Sequence, residues 1–234
     1  MLETLLHARE IPLNKILPDA PFYRAFEQDF RAYLTAKYGY PALRHGMPHF
    51  LTAVHETVNF NRYEEHLERA CDAAVRLPSY DIVMGIAKKG MWLSYVLHKM
   101  GRTTSDAWLE RHGDKRASVM LGPIDGRSVQ GRKILLVDND VLTGTSLNHT
   151  MNGLRKFSPA RCDVLLIYNH AQIAAKDHEG IKSKLDKSKT LGQENGLVYL
   201  DCRAQLTADK IFTLAEDFKP NRKALRQLKR TYSI

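Results

Sequence analysis

Residues 133–146 read Lys133-Ile134-Leu135-Leu136-Val137-Asp138-Asn139-Asp140-Val141-Leu142-Thr143-Gly144-Thr145-Ser146. An apolar run, Ile134–Val137, is followed by a cluster of acids, then a turn of small residues, then a helical pattern from Leu147 to Phe157. A short apolar run that ends in acids reads as a buried strand whose carboxyl end meets solvent. A loop of Thr, Gly and Ser leading into a helix surrounds an anion with backbone N–H groups and the positive end of the helix dipole. Thr143, Gly144, Thr145 and Ser146 are therefore candidate phosphate ligands. Acids beside such a loop suit a sugar phosphate, whose hydroxyls donate to carboxylates while its phosphate accepts from amides. Asp138 also fits a strand-end acid capping the next helix, and Thr143–Ser146 an ordinary helix start.

Working outward, Asp81-Ile82-Val83-Met84-Gly85-Ile86 is a second short apolar strand, followed by a turn, Ala87-Lys88-Lys89-Gly90, and an apolar helix from Met91 to Met100 closed by Gly101. Thr103 to Trp108 and Ala117 to Leu121 read as strands separated by the polar, basic segment Arg111-His112-Gly113-Asp114-Lys115-Arg116. A further strand runs from Cys162 to Tyr168. Strands alternating with helices imply an α/β fold with a doubly wound, mostly parallel sheet and right-handed crossovers. Ligands of such sheets bind beyond the carboxyl ends of the strands, where the turns at 87–90 and 138–146 both fall and can converge.

Before this core, residues 1–79 read as a helical N-terminal extension. Phe22, Phe26, Phe30, Tyr33 and Leu34 mark one helix face, and Tyr63, Leu67, Ala70, Ala74 and Leu77 mark another, with Asn61 as N-cap. Residues 80–170 form the α/β core. Residues 171–234 form a hood and a basic C-terminal helical segment: Ala171–Lys189 is read as helix, Gly196–Asp201 as strand, Ala208–Asp217 as helix and Asn221–Arg230 as a second helix.

Composition is that of an ordinary globular chain: 234 residues, 44% hydrophobic and 26% charged. No apolar run is long enough to span a membrane, and Met1-Leu2-Glu3-Thr4 lacks a signal-peptide pattern, so the expected setting is cytoplasmic. Cys71, Cys162 and Cys202 are too dispersed for a disulfide framework or zinc site. The net charge of +9 favours polyanionic ligands. Part of it lies in Lys219, Arg222, Lys223, Arg226, Lys229 and Arg230, which read as a solvated helix face, an oligomer contact or a nucleic-acid contact. Tyr168, Asn169 and His170 follow a core strand near where an acceptor would sit and fit a structural role equally well.

On the segment from Asp138 to Ser146, with Ile82–Gly90 upstream, the chain resembles the type I phosphoribosyltransferases. In that family an apolar strand leads through two acids to a Thr-Gly-Thr-type loop, closest here to the register of amidophosphoribosyltransferases, and Ala87–Gly90 resembles the family's pyrophosphate loop. The resemblance covers residues 80 to 170. It implies Mg²⁺-dependent transfer of a 5-phosphoribosyl group from phosphoribosyl pyrophosphate to a nucleobase or other nitrogen acceptor, with release of pyrophosphate. By position, Thr143, Gly144, Thr145 and Ser146 hold the 5′-phosphate, and Asp138 and Asn139 meet the ribose hydroxyls, with Asp140 next to them. Asp138 is the expected metal ligand. Ala87, Lys88, Lys89 and Gly90 meet the pyrophosphate, with a strained or cis peptide expected near Lys88. Arg111, His112, Lys115 and Arg116 fall where the family closes a mobile loop, and Arg111 and Lys115 are the expected catalytic contacts. A dimer is the expected assembly.

Three residues depart from the family pattern: Asn139 for the second acid, Lys89 for a glycine, and Leu142 where purine-specific members place an aspartate. Leu142 argues against that purine-type assistance. Together they keep open a second reading, in which a catalytically weak relative senses nucleotides and binds nucleic acid or a protein through its basic surface.

Overall fold

A computed structural model describes residues 20–38, 63–102, 106–112, 118–121, 126–138, 141, 143–181, 190–203 and 206–232. In chain order the elements are α1 (Ala20–Tyr38), α2 (Tyr63–Arg76), β1 (Ile82–Ile86), α3 (Ala87–Lys99), β2 (Asp106–His112), β3 (Ser118–Leu121), α4 (Gly126–Val129), β4 (Lys133–Asp138) and α5 (Thr145–Arg155). There follow β5 (Arg161–Leu166), β6 (His170–Ala174), α6 (Ala175–Ile181), β7 (Thr190–Glu194), β8 (Leu197–Asp201), β9 (Ile211–Thr213), α7 (Leu214–Asp217) and α8 (Arg222–Arg230).

Apolar residues alternate along the central strands between two separate cores, which makes the sheet buried on both faces. Val83, Leu135, Val137 and Leu165 pack into one core with α1, α2, α3 and α8. Ile82, Met84, Ile86, Ile134, Leu136, Val164 and Leu166 pack into the other with Leu147, Met151 and Leu154 of α5. The main sheet has the order β3-β2-β1-β4-β5-β9. β2, β1, β4, β5 and β9 run parallel, and β3 returns antiparallel on β2. The fold is thus the doubly wound, mostly parallel α/β sheet expected from the strand–helix alternation. From β1 the chain winds outward through α3 to β2 and β3, and from β4 it winds the opposite way through α5 to β5. The order reverses between β1 and β4.

Expected helix faces match the burial. Phe22, Phe26 and Phe30 of α1 and Leu67, Ala70 and Ala74 of α2 are buried, as is Trp92 of α3. Asn61, the expected cap of α2, lies outside the described residues. α3 ends as expected at Gly101, whose φ of +71° suits glycine. Gly101 N–H donates to His98 O and Arg102 N–H to Leu97 O, a Schellman closure.

Four expectations need correction. Ala87–Gly90 is not a turn, because α3 begins at Ala87 directly after β1. The strand expected at 103–108 is Asp106–His112, so Arg111 and His112 pair with Val119 and Ser118 instead of lying in a loop. Ala171–Lys189 does not begin as helix: residues 170–174 form β6, which joins β8 and β7 in a separate three-stranded antiparallel sheet. Asn195 and Gly196, with φ of 51° and 75°, close the β7–β8 hairpin, the conformation an Asn-Gly pair favours. Finally, 208–217 is not one helix. Ile211–Thr213 extends the main sheet as β9 by pairing with Val164–Leu166, leaving only the short α7. Pairing to an existing sheet edge overrides the local helical pattern.

The C-terminal segment is tied to the N-terminal helices through Asp72 of α2. Asp72 accepts hydrogen bonds from Lys219 N–H at 3.1 Å, Asn221 Nδ2 at 3.0 Å and Arg76 Nη1 at 3.1 Å. Asn221 in turn caps α8 by accepting from Ala224 N–H. Burial by itself would raise the Asp72 carboxyl, but these hydrogen bonds and the Arg76 charge outweigh it and hold it below its ordinary value. The folded state therefore favours the ionised form. Its stabilising effect is complete above the ordinary carboxylate range and disappears as pH falls through and below about 4. No described helix is long and apolar enough to cross a membrane.

We expect Asp72→Ala to lower unfolding stability by about 1–3 kcal/mol at neutral pH, the scale of leaving buried donors unpaired. Denaturant titrations should show this deficit shrinking on acidification through the carboxylate range. A pH-independent deficit would contradict the assignment.

Candidate functional site

The carboxyl edge of β1 and β4, where the strand order reverses, is the place in a doubly wound sheet where a crevice opens between crossovers on opposite faces. α3 leaves from β1 toward one core and α5 follows β4 toward the other. Gly85 pairs with Val137, and Asp138 with Leu166, so Ile86 and Asp138 lie on the same level at the ends of adjacent strands. Asp138 closes β4 and is buried at 8% exposure, an unusual position for a carboxylate. Its backbone carbonyl accepts from Ile167 N–H.

The two crossovers approach each other through glycine. A Cβ added at Gly90, in the first turn of α3, would stand 1.9 Å from Val137 O and 3.1 Å from Asp138 Cα. A Cβ at Gly85 would stand 2.9 Å from Met91 Cα, so β1 and α3 are also in backbone contact. No side chain fits in either place. The start of α3 consequently sits directly against the end of β4.

Neither helix start carries a side-chain cap. The N-cap of α3 is Ile86, in extended conformation, and that of α5 is Gly144, with φ 70° and ψ −3°. Gly144 O accepts from Asn148 N–H, which starts the α5 ladder. In that left-handed conformation a residue with a Cβ is disfavoured. The start of α3 thus abuts the residue that ends β4, and neither N-cap residue, Ile86 or Gly144, caps its helix with a side chain.

Of the expected site residues, Gly90 and Asp138 are brought together, and Gly144 stands as the N-cap of α5. Ala87, Lys88 and Lys89 lie in the first turn of α3, and Thr145 and Ser146 in that of α5. Thr143 is half-buried immediately before Gly144. Asn139, Asp140, Leu142, Lys115 and Arg116 lie outside the described residues. Arg111 ends up on the same sheet edge: with Ile86 paired to Leu109, β2 extends past the end of β1. No described peptide bond is cis, so of the strained or cis peptide expected near Lys88 the cis form is not found. What the residue pattern concealed is the reason for Gly90. A glycine after two lysines gives no sign of a neighbouring strand's carbonyl.

Residues beyond the core strand β5 are engaged with their neighbours. Tyr168 Oη lies 3.0 Å from His66 Nε2, and His170 Nδ1 lies 3.1 Å from Asn169 Oδ1. The His170 ring meets Tyr199 edge to face at 5.6 Å. Burial pushes the thiols of Cys71 and Cys162 up to about 12, so both stay protonated at neutral pH. Among the described residues no three His, Cys, Asp or Glu side chains group as a metal site. On α8, Ala224, Leu225 and Leu228 are buried while Arg222, Lys223, Arg226 and Arg230 are exposed. Arg222 and Lys229 approach Glu68 and Glu64 of α2 at 3.6 and 3.7 Å.

No protein-family model and no curated protein matches the chain. Solved structures that resemble it include a purine phosphoribosyltransferase from Pyrococcus horikoshii, at 18% identity and a TM-score of 0.35 over 44% of this chain and 71% of that one. A hypoxanthine phosphoribosyltransferase from Staphylococcus aureus matches at 17% identity and a TM-score of 0.36, over 44% of this chain and 63% of that one. Glutamine phosphoribosylpyrophosphate amidotransferase from B. subtilis matches at 13% identity and a TM-score of 0.35, over 48% of this chain and 30% of that one. This chain thus spans less than two thirds of the length of the second and third. These likenesses are distant, and the fold stands on the strand order and registers above.

Gly90→Ala is expected to destabilise the protein by about 3 kcal/mol or more, because the clash is with backbone atoms that cannot rotate away. Gly153→Ala, where an added Cβ meets nothing within 4 Å, is the control and should leave stability unchanged or raise it slightly. Equal melting temperatures for the two variants would contradict the close approach.

Proposed function

We propose that the chain is a Mg²⁺-dependent phosphoribosyltransferase that binds 5-phosphoribosyl 1-pyrophosphate at the β1/β4 carboxyl edge and passes its phosphoribosyl group to a nitrogen acceptor, releasing pyrophosphate. The observation that carries this reading is the start of α3 packed against the end of β4 at the buried Asp138, where the strand order reverses and β4 leads on to the start of α5. A ligand with a phosphate at each end and a hydroxyl-bearing ring between them matches that arrangement. The start of α5 takes the 5′-phosphate on its amides, the start of α3 takes the pyrophosphate, and Asp138 accepts from the ribose hydroxyls.

The reaction builds positive charge on the ribosyl carbon and negative charge on the departing pyrophosphate. Asp138 beside the sugar favours the first, and Lys88, Lys89 and the α3 dipole favour the second. By the family resemblance, Arg111, on the same sheet edge, and Lys115 would supply cationic charge to the leaving group. Because the protein forms no covalent bond to the sugar, its contribution is to hold the donor in line for attack and exclude competing water. The buried carboxylate at the strand end supplies the hard oxygen donor that a magnesium ion takes. Asp138 is the residue that would hold Mg²⁺, and the ion, when bound, neutralises charge on the pyrophosphate.

Titration calorimetry with 5-phosphoribosyl 1-pyrophosphate and Mg²⁺ tests the reading. Wild-type protein should give saturable binding, and Asp138→Asn should weaken it roughly ten- to a hundredfold, the scale of hydrogen bonds to a charged group. No heat at millimolar ligand would sink the proposal. Pyrophosphate release measured with a panel of nucleobases and small amines then separates transfer from binding alone.

A further inference from the structure

A thiol at the end of the small sheet hydrogen-bonds to the segment that leads into the candidate phosphate loop. Val141 N–H donates to Cys202 Sγ at 3.1 Å, and the thiol donates back to Val141 O at 3.0 Å. Both residues are buried, Cys202 completely. Cys202 directly follows β8, and its own N–H donates at 2.6 Å to Asn169 O, in the link between β5 and β6. Val141 lies midway between Asp138 and Gly144. Its peptide groups are in neither helix nor strand, and being buried they need partners other than bulk water. One side chain that both donates and accepts serves the two together.

We infer that Cys202 is a positioning residue for the phosphate loop: its thiol fixes Val141, between the end of β4 and the start of α5, in the arrangement in which that helix start receives the 5′-phosphate, and couples Val141 to the small sheet. This rests on the phosphate-loop reading under Proposed function. Without the anchor, the loop samples arrangements that do not bind, and apparent affinity falls by the fraction of competent loop. The role is one of hydrogen bonding, with no redox or nucleophilic step. Cys202→Ser keeps a donor and an acceptor at the same place, and Cys202→Ala removes both.

Site-resolved amide exchange on the full chain reads the anchor without ligand. The Val141 amide should be protected in the wild type, exchange roughly tenfold faster in Cys202→Ala and recover in Cys202→Ser, as expected for loss and return of a buried hydrogen bond. Calorimetry with 5-phosphoribosyl 1-pyrophosphate and Mg²⁺ reads the consequence. Cys202→Ala should bind roughly five- to tenfold more weakly, and Cys202→Ser within about threefold of wild type. A wild-type Val141 amide that exchanges like an open chain overturns the inference with no variant needed. Cys202→Ala binding at wild-type affinity overturns the positioning role alone. A wild type whose Val141 is protected but which binds no ligand overturns the phosphate-loop reading, and the positioning role falls with it.

Discussion

The approach of Gly90 to the carbonyl of Val137 sets the distance between the first turn of α3 and the end of β4. Much of the candidate site depends on that distance. It puts the amides of one crossover beside the carboxylate that ends the neighbouring strand, and it requires a residue without a side chain. Gly85 supports the same geometry one strand earlier, by letting α3 lie against β1. Interiors pack too densely to absorb an extra methyl against backbone, so this contact has little freedom to vary.

A sheet buried on both faces keeps the two crossovers fixed. Val137 and Leu136 are neighbours in sequence but belong to different cores, one under α3 and one under α5. Asp138 continues the alternation at the strand end, where a polar residue can meet ligand. The N-terminal and C-terminal helices close the α3 side. Tyr95 of α3 donates to Asp29 of α1 at 2.6 Å and meets Tyr232 Oη at 2.9 Å, so the chain's last described residue is tied to α1 and α3 together. Rigid backing of this kind lets a site rely on positioned backbone N–H groups.

The parts visible in the sequence were those whose physics is local. The apolar runs at 82–86 and 134–137 mark the central strands, the periodic aromatic residues of α1 mark its buried face, and the Thr-Gly-Thr-Ser loop marks a helix start after a strand. Elements defined by partners were hidden. β9 is only three residues long and exists because β5 offers an edge. β7 is largely exposed and carries no alternating pattern, although Asn195-Gly196 was a usable hairpin signal. The helical start at Ala87 was concealed because its cap, Ile86, is an apolar strand residue. The thiol contact at Val141 spans 61 positions, beyond the reach of any local pattern.

On the proposed reading, the starts of α3 and α5 each take one phosphate of the ligand beside Asp138. An amide-resolved NMR titration with ribose 5-phosphate and with inorganic pyrophosphate probes each start in turn. Ribose 5-phosphate should shift the amides of Gly144–Leu147, and pyrophosphate those of Lys88–Met91. Shifts confined to the basic face of α8, or none at millimolar ligand, would overturn that reading.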